Sequence, residues 1–157
     1  YEGYEAVPEQ DATGVYRVPS GGGEPERMLS GFVQPNGLAF SPDERTLYVA
    51  ESGSSHDPAV PQVIRAWDVE GGRPVRGRDF ARVAGGVPDG MRVDARGHVW
   101  TSAGRGVEVY HPDATHLGTV HLPEGVSNLC FGGPRGNRLF VTATTSVYAL
   151  FVNARAA

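Results

Sequence analysis

Short apolar runs separated by turns of small and polar residues follow one another along the chain, and one such unit recurs. In the first copy, residues 38–40 and 47–50 are apolar and a turn at 41–44 joins them. Two β-rich runs joined by a turn that contains Ser, Pro and Asp predict a β-hairpin. The same pattern returns at 88–101 and at 127–142.

Asn36, Asp89 and Ser127 occupy equivalent places in the three copies, 53 and 38 residues apart. Each hairpin is followed by further strand-like runs, and repeats of this length built only from strands are typical of propeller blades. We therefore predict an all-β fold, a partial β-propeller of about three blades and a half-blade. The predicted boundaries are 13–32 for the half-blade and about 34–83, 88–122 and 126–152 for the blades, within one domain that takes up residues 1–157.

The composition suits a turn-dense β fold, with 22 glycines and 12 prolines among 157 residues. A net charge of −4 gives no reason to expect nucleic acid or an anionic membrane as a partner. There is no apolar run of about 20 residues and no visible signal peptide, so we expect a cytoplasmic protein, while a segment upstream of Tyr1 could carry a signal. Cys130 lies within an apolar run and is expected to be a buried, inert thiol.

In a propeller, the turn that leads into each innermost strand lies on the same face as the loop between the second and third strands. Asn36, Asp89 and Ser127 should therefore converge around one mouth of the central channel, with loops 51–62, 102–106 and 143–146 beside them. The turns 41–45 and 94–97 should face away. Amide and carboxylate oxygens at one mouth indicate a site for a hard cation such as Ca²⁺. The alternative is that Asn and Asp before Gly only form turns.

The motifs QPNGLAFSPD at 34–43, PDGMRVD at 88–94 and CFGG at 130–133 together resemble the SMP-30/gluconolactonase family. That resemblance implies a six-bladed propeller that hydrolyses sugar lactones with one divalent cation. It implies Ca²⁺ first, with Zn²⁺, Mn²⁺ or Mg²⁺ as alternatives. Asn36 resembles the family's metal-ligand Asn, and Asp89 resembles its metal-ligand Asp, which is also the proposed general base.

Other residues that the family uses have no match in this chain, namely a metal-ligand Glu and a substrate-binding Asn and Arg from early blades. The resemblance therefore predicts that the chain is the C-terminal half of the enzyme and that an N-terminal half completes the ring. Two ligands alone should bind a metal weakly. We also expect exposed apolar blade faces around Val15, Met28, Phe140 and Tyr148, where neighbouring blades would pack.

Four further residues are candidates for binding the substrate: Arg105, His56, Ser127 and Asn128. Each has a plainer interpretation, as a solvated loop residue or a turn cap. Asp43 and Asp94 lie in the turns that should face away from the mouth and are predicted to be structural. Two rival functions stay open: a non-catalytic propeller used as a binding module, and a related metal-dependent esterase or organophosphate hydrolase.

Overall fold

The computed structural model describes residues 10–157, which contain thirteen β-strands, one short 3₁₀ helix and no α-helix. The strands are β1 (Val15–Arg17), β2 (Glu26–Leu29), β3 (Pro35–Phe40), β4 (Thr46–Glu51), β5 (Val63–Glu70), β6 (Arg73–Arg82), β7 (Pro88–Val93), β8 (Val99–Ala103), β9 (Gly106–Tyr110), β10 (His116–His121), β11 (Val126–Gly132), β12 (Arg138–Ala143) and β13 (Val147–Phe151). The 3₁₀ helix is Gly53–Ser55.

Neighbouring strands pair antiparallel in four separate sheets. We call them the half-blade (β1–β2), blade 1 (β3–β6), blade 2 (β7–β10) and blade 3 (β11–β13). The innermost strand β3 packs against β7, and β7 packs against β11. Sheets stacked by their first strands are blades around an axis, so the all-β partial propeller predicted from the sequence is confirmed.

Three apolar clusters fill the spaces between the sheets. Side chains of a strand point alternately to its two faces, so one strand can contribute to two clusters. On β4, Leu47 and Val49 face the half-blade, whereas Tyr48 and Ala50 face blade 2. A third cluster, which includes Trp100, joins blades 2 and 3. The blades are therefore held together mainly by their shared faces.

Asn36 before Gly37 could form a turn by its sequence, but residues 35–37 belong to β3, and the pairing of β3 with β4 shifts register between Pro35 and Leu38. Strand β7 has the same irregularity between Pro88 and Met91, and β11 has one between Val126 and Asn128. Each innermost strand therefore begins with a bulge, which places one extra residue opposite its partner strand. The sequence repeat corresponds to a repeated backbone feature.

Glycine at the bulges lets successive blades approach closely. A Cβ on Gly37 would lie 2.0 Å from the carbonyl oxygen of Asp89, and one on Gly90 would lie 2.3 Å from Oδ1 of Asn128. No side chain fits at such separations, so Gly after Asn36 and after Asp89 is a packing requirement between blades.

The strand register places the loops as the sequence predicted. Pro35 pairs with Glu51 and Pro88 pairs with Ala103, so the loops that follow β4 and β8 lie at the end where β3 and β7 begin. We call this end the mouth. The hairpin turns 41–45 and 94–97 close the other ends of these strands, so they lie on the opposite face.

The prediction of a buried Cys130 is wrong. Its side chain is exposed because it pairs with Phe140 on the face of blade 3 that no other described sheet covers. The run around it is apolar, but only alternate positions of a strand face the neighbouring blade.

The predicted positions of the exposed apolar faces are right only in part, since Phe140 lies on the uncovered face of blade 3 and Met28 lies beside Leu38 and Phe40. Val15, Met28, Phe140 and Tyr148 are all half-buried. Val15 packs on the cluster between the half-blade and blade 1, and Tyr148 packs on the cluster between blades 2 and 3. The exposed residues on these faces are Leu38, Phe40, Val147 and Phe151. Among the described residues, no helix is long and apolar enough to span a membrane.

Candidate functional site

Asn36 and Asp89 lie at the bulges that begin two neighbouring inner strands, and both are half-buried. Gly37, next to Asn36, is in contact with the backbone of Asp89. The fold therefore brings one amide and one carboxylate to adjacent backbone segments at the mouth.

Two buried serines fix the backbone around Asp89. Ser52 donates from Oγ to the carbonyl of Pro88, directly before Asp89. Ser102 accepts the amide N–H of Asp89 at 3.1 Å and donates to the carbonyl of Ser127 at 3.2 Å. These bonds run from blade 1 to blade 2 and from blade 2 to blade 3, so they set the position of the candidate base relative to both neighbouring blades.

Sequence reasoning missed the positioning role of these serines. Their partners lie in other blades, so no local motif identifies them. The one available signal was a small polar residue at the mouth end of an otherwise apolar strand.

Glu51 was also missed, although its side chain is almost completely buried beside the mouth. Its carboxylate accepts the backbone N–H groups of Val33, Gln34 and Gly53 at 2.8–2.9 Å. Three such bonds satisfy a buried carboxylate and fix the segment that leads into β3. Glu51 also adds negative charge close to Asn36, which favours a cation at the mouth.

Ser127 and Asn128 lie at the equivalent bulge of blade 3. The Ser127 hydroxyl is 3.0 Å from Oγ1 of Thr142, and Asn128 Oδ1 accepts the N–H of Leu129 at 2.8 Å. The Asn128 side chain lies against Gly90, the residue after Asp89. Blade 3 thus brings one more polar side chain to the strand that carries the candidate base.

His56 is exposed and lines a cleft of about 360 Å³ together with Gln34 and Pro35, directly before Asn36. Arg105 is exposed, and its guanidinium donates to the carbonyl of Pro123. His56 therefore borders an open space beside Asn36, whereas Arg105 braces the connection between blades 2 and 3.

Glu124 is a second structural carboxylate on the mouth side. It accepts from Ser146 Oγ at 2.6 Å, Tyr148 Oη at 2.7 Å and the N–H of Thr145 at 2.8 Å. These hydrogen bonds, that of Ser146 first, lower the pKa of Glu124 to about 2. Glu124 stays ionised at neutral pH and joins the segment before β11 to the turn before β13.

The residues that could hold a metal form an incomplete set. Within residues 10–157, no three His, Cys, Asp or Glu side chains are grouped as a metal site. Asn36 and Asp89 offer an amide and a carboxylate oxygen, which suit Ca²⁺, but this ion takes six to eight oxygen ligands. The pair fits one part of a hard-cation site and requires further ligands.

On the opposite face, Asp94 is fully buried. Its carboxylate accepts from Trp100 Nε1 at 3.0 Å, His98 Nδ1 at 2.9 Å and the N–H groups of Arg96 and His98. Burial alone would raise the pKa of Asp94, but the hydrogen bonds from Trp100 and His98 outweigh it, and the pKa is lowered. Asp94 is a structural residue, as the sequence predicted, and so is Asp43, which accepts from Ser41 Oγ at 2.7 Å.

Comparisons with known proteins identify relatives of this chain. The chain is 35% identical over 151 residues to a gluconolactonase of Zymomonas mobilis, covering 90% of this chain and 41% of that protein. It is 36% identical over 114 residues to the pentonolactonase XacC of Haloferax volcanii, covering 69% of this chain and 37% of that protein.

Solved structures agree with the fold. A gluconolactonase from Xanthomonas campestris superposes with a TM-score of 0.83 at 39% identity, covering 93% of this chain and 46% of that one. Regucalcin, a calcium-binding protein from Agrobacterium tumefaciens, superposes with a TM-score of 0.76 at 22% identity, which supports the fold alone. The chain thus spans less than half the length of these two gluconolactonases.

The family model for the SMP-30/gluconolactonase/LRE-like region matches residues 2–145, nearly the whole chain. With the repeated bulges and the lactonases among its relatives, this match shows that the chain belongs to the SMP-30/gluconolactonase/LRE-like family.

Proposed function

We propose that this chain is the C-terminal part of a metal-dependent sugar-lactone hydrolase and that its mouth supplies part of the active site. The observation that carries the proposal is the placement of Asn36 and Asp89 at equivalent bulges of two inner strands in backbone contact. The similarity to a gluconolactonase and a pentonolactonase supports a sugar lactone as the substrate.

In this proposal, Asn36 and Asp89 hold one divalent cation, with Ca²⁺ favoured by the oxygen donors. The further ligands would come from the part of the ring outside this chain, since the described residues hold no group of three His, Cys, Asp or Glu side chains that could bind a metal. When bound, the cation supplies Lewis-acid polarisation of the lactone carbonyl and stabilises the negative charge that develops on its oxygen.

Asp89 orients a water molecule and accepts its proton as the water oxygen attacks the carbonyl carbon. The ring C–O bond then breaks, and the released ring oxygen takes up a proton to give the open hydroxy acid. The hydrogen bonds of Ser52 and Ser102 fix the backbone on both sides of Asp89. Such support keeps a base within reach of its substrate.

The four substrate-binding candidates are not equally well supported. His56 borders the cleft beside Pro35, so we assign it to a substrate hydroxyl first. Asn128 lies next to Gly90 but accepts the N–H of Leu129 within the chain, so it comes second. Arg105 and Ser127 already bind Pro123 and Thr142 within the chain.

The proposal is tested by fusing residues 1–157 to the part of the Zymomonas mobilis gluconolactonase that lies outside the matched segment. The fusion should hydrolyse glucono-lactone, lose activity with a chelator and regain it with Ca²⁺. Asp89→Asn should lower kcat by about 100-fold or more, and Asn36→Ala should weaken Ca²⁺ binding measured by calorimetry.

Asp94→Asn is the matched control, since Asp94 is a carboxylate of the same blade on the opposite face. Equal losses of activity in Asp89→Asn and Asp94→Asn would contradict the assigned roles. Aryl esters and phosphotriesters are assayed in parallel; faster turnover of either would favour the esterase or organophosphate hydrolase. Ligand binding without any turnover would favour the binding module.

A further inference from the structure

A second cleft lies on the face opposite the mouth, beneath blades 2 and 3. It has a volume of about 390 Å³, and three of the residues that line it are Arg96, Arg135 and Arg155. Asn137 and Asn153 also line it, and among the described residues no Asp or Glu does. We call it the arginine cleft.

Three segments that are distant in sequence each deliver one of these arginines. Arg96 comes from the β7–β8 turn, Arg135 from the β11–β12 turn, and Arg155 from the segment that follows β13. Backbone hydrogen bonds join the three segments: Ala95 N–H donates to Arg155, Val152 N–H to Asn137 and Ala156 N–H to Gly136, at 3.0–3.1 Å. The arginines are therefore carried on a braced backbone.

The arginines of the arginine cleft differ in their ion pairing from the arginines of the half-blade and blade 1. Six arginines of the half-blade and blade 1 form ion pairs with carboxylates. Within residues 10–157, by contrast, no hydrogen bond or ion pair is formed by the side chain of Arg96, Arg135 or Arg155. Three like charges without carboxylate partners around one cleft create a positive local potential that attracts anions.

The nearby carboxylate of Asp94 does not neutralise the cleft. It is fully buried and is directed to Trp100, His98 and the backbone N–H of Arg96, not to a guanidinium. The cleft thus has a surplus of positive charge in a chain whose net charge is −4.

We propose that the arginine cleft binds a phosphate-type oxyanion, either inorganic phosphate or the phosphate group of a phosphorylated sugar. Guanidinium groups donate two parallel hydrogen bonds to phosphate oxygens. Three of them, carried by three separate segments around one cleft, suit a tetrahedral anion with nearly two negative charges better than a planar carboxylate with one. The Asn137 and Asn153 amides are placed to bind the hydroxyls of an attached sugar.

The test is calorimetric titration of the 157-residue chain with inorganic phosphate and with glucose 6-phosphate, at constant ionic strength maintained with NaCl. Arg135→Gln and Arg155→Gln should each raise Kd by about 10-fold, because each removes charge-assisted hydrogen bonds. Phosphate should also raise the unfolding temperature of the wild-type chain more than that of either variant.

Arg45→Gln is the control, since Arg45 is an exposed arginine in a turn on the same face, outside the arginine cleft. It should bind phosphate like the wild type. Glucose 6-phosphate binding at least about 10-fold more tightly than phosphate would identify a phosphorylated sugar, and equal affinities would identify phosphate itself. An absence of binding by the wild type, or an equal loss in Arg45→Gln, would overturn the proposal.

Discussion

Equivalent positions in successive blades differ widely in burial. Met91 on β7 and Leu129 on β11 are 0% and 2% exposed, whereas Leu38, at the same place on β3, is 45% exposed. Two residues further along, Val93 is 7% exposed and Phe40 is 47% exposed. Blade 1 covers Met91 and Val93, but among residues 10–157 the half-blade has no inner strands to cover Leu38 and Phe40.

The last blade shows the same contrast on its other face. Tyr48, Trp100 and Phe140 are equivalent aromatic residues on the second strands. Tyr48 and Trp100 are at most 8% exposed because the next blade covers them, while Phe140 is half-buried and its neighbour Phe151 is 79% exposed. Burial in this fold is decided by the adjacent blade, since the local sequence pattern is the same in each copy.

The largest expected effect on stability comes from shortening the side chains at equivalent positions of β7 and β3. Met91→Ala should lower the free energy of unfolding by about 2–4 kcal/mol, because it creates a cavity between blades 1 and 2. Leu38→Ala should lower it by under about 1 kcal/mol, because Leu38 is half-exposed. Urea unfolding of both variants checks this. Equal losses would show that the face of β3 is covered in solution.

Much of the fold could be predicted from the sequence because strands and turns have local signals. Apolar runs and turn residues located the hairpins, and the repeat located the blades. The bulges were not predicted, since Pro-Asn-Gly is a turn signal by itself. Only the contact of Gly37 with the next blade shows why this tripeptide lies inside a strand.

The candidate site was predictable only where the repeat itself carried it. Asn36 and Asp89 were singled out because they occupy one repeat position, and their role in a metal site stays a prediction. Ser102 was missed because its partner Ser127 lies 25 residues away in another blade. The arginine cleft was missed for the same reason, and Cys130 was misassigned because an apolar run does not tell which face is covered.

A smaller effect on stability is expected when further strands cover the exposed faces. Supplying the upstream part of a lactonase, fused or as a separate chain, should bury Leu38 and Phe40 under the new inner strands. The cost of Leu38→Ala should then rise by about 1–2 kcal/mol. The completed protein should sediment as a monomer, whereas the chain alone should associate through its exposed apolar faces. An unchanged cost of Leu38→Ala would contradict the half-propeller proposal.

The smallest expected effect on stability concerns the hairpin turns that carry Asp94 and Asp43. The turn of blade 2 is covered by the segment after β13, whereas the turn of blade 1 is open. Asp94→Asn should lower the free energy of unfolding at neutral pH by about 1 kcal/mol, because it weakens hydrogen bonds to a buried charged group. Asp43→Asn is the control for this change in unfolding free energy. Asp43 is exposed, and its pKa is also lowered, chiefly by the hydrogen bond from Ser41.

The pH dependence follows from the direction of the Asp94 shift. The pKa of Asp94 in the folded chain is lowered from an ordinary value of about 3.9, so on acidification the unfolded chain takes up this proton first. Its stabilisation is present above about pH 4 and is lost as the pH falls through the lowered pKa. The difference in unfolding free energy between wild type and Asp94→Asn should therefore be constant from pH 8 to 5 and shrink below about pH 4. Chemical unfolding at several pH values measures it, and a difference that grows on acidification would mean that Asp94 is protonated in the folded chain.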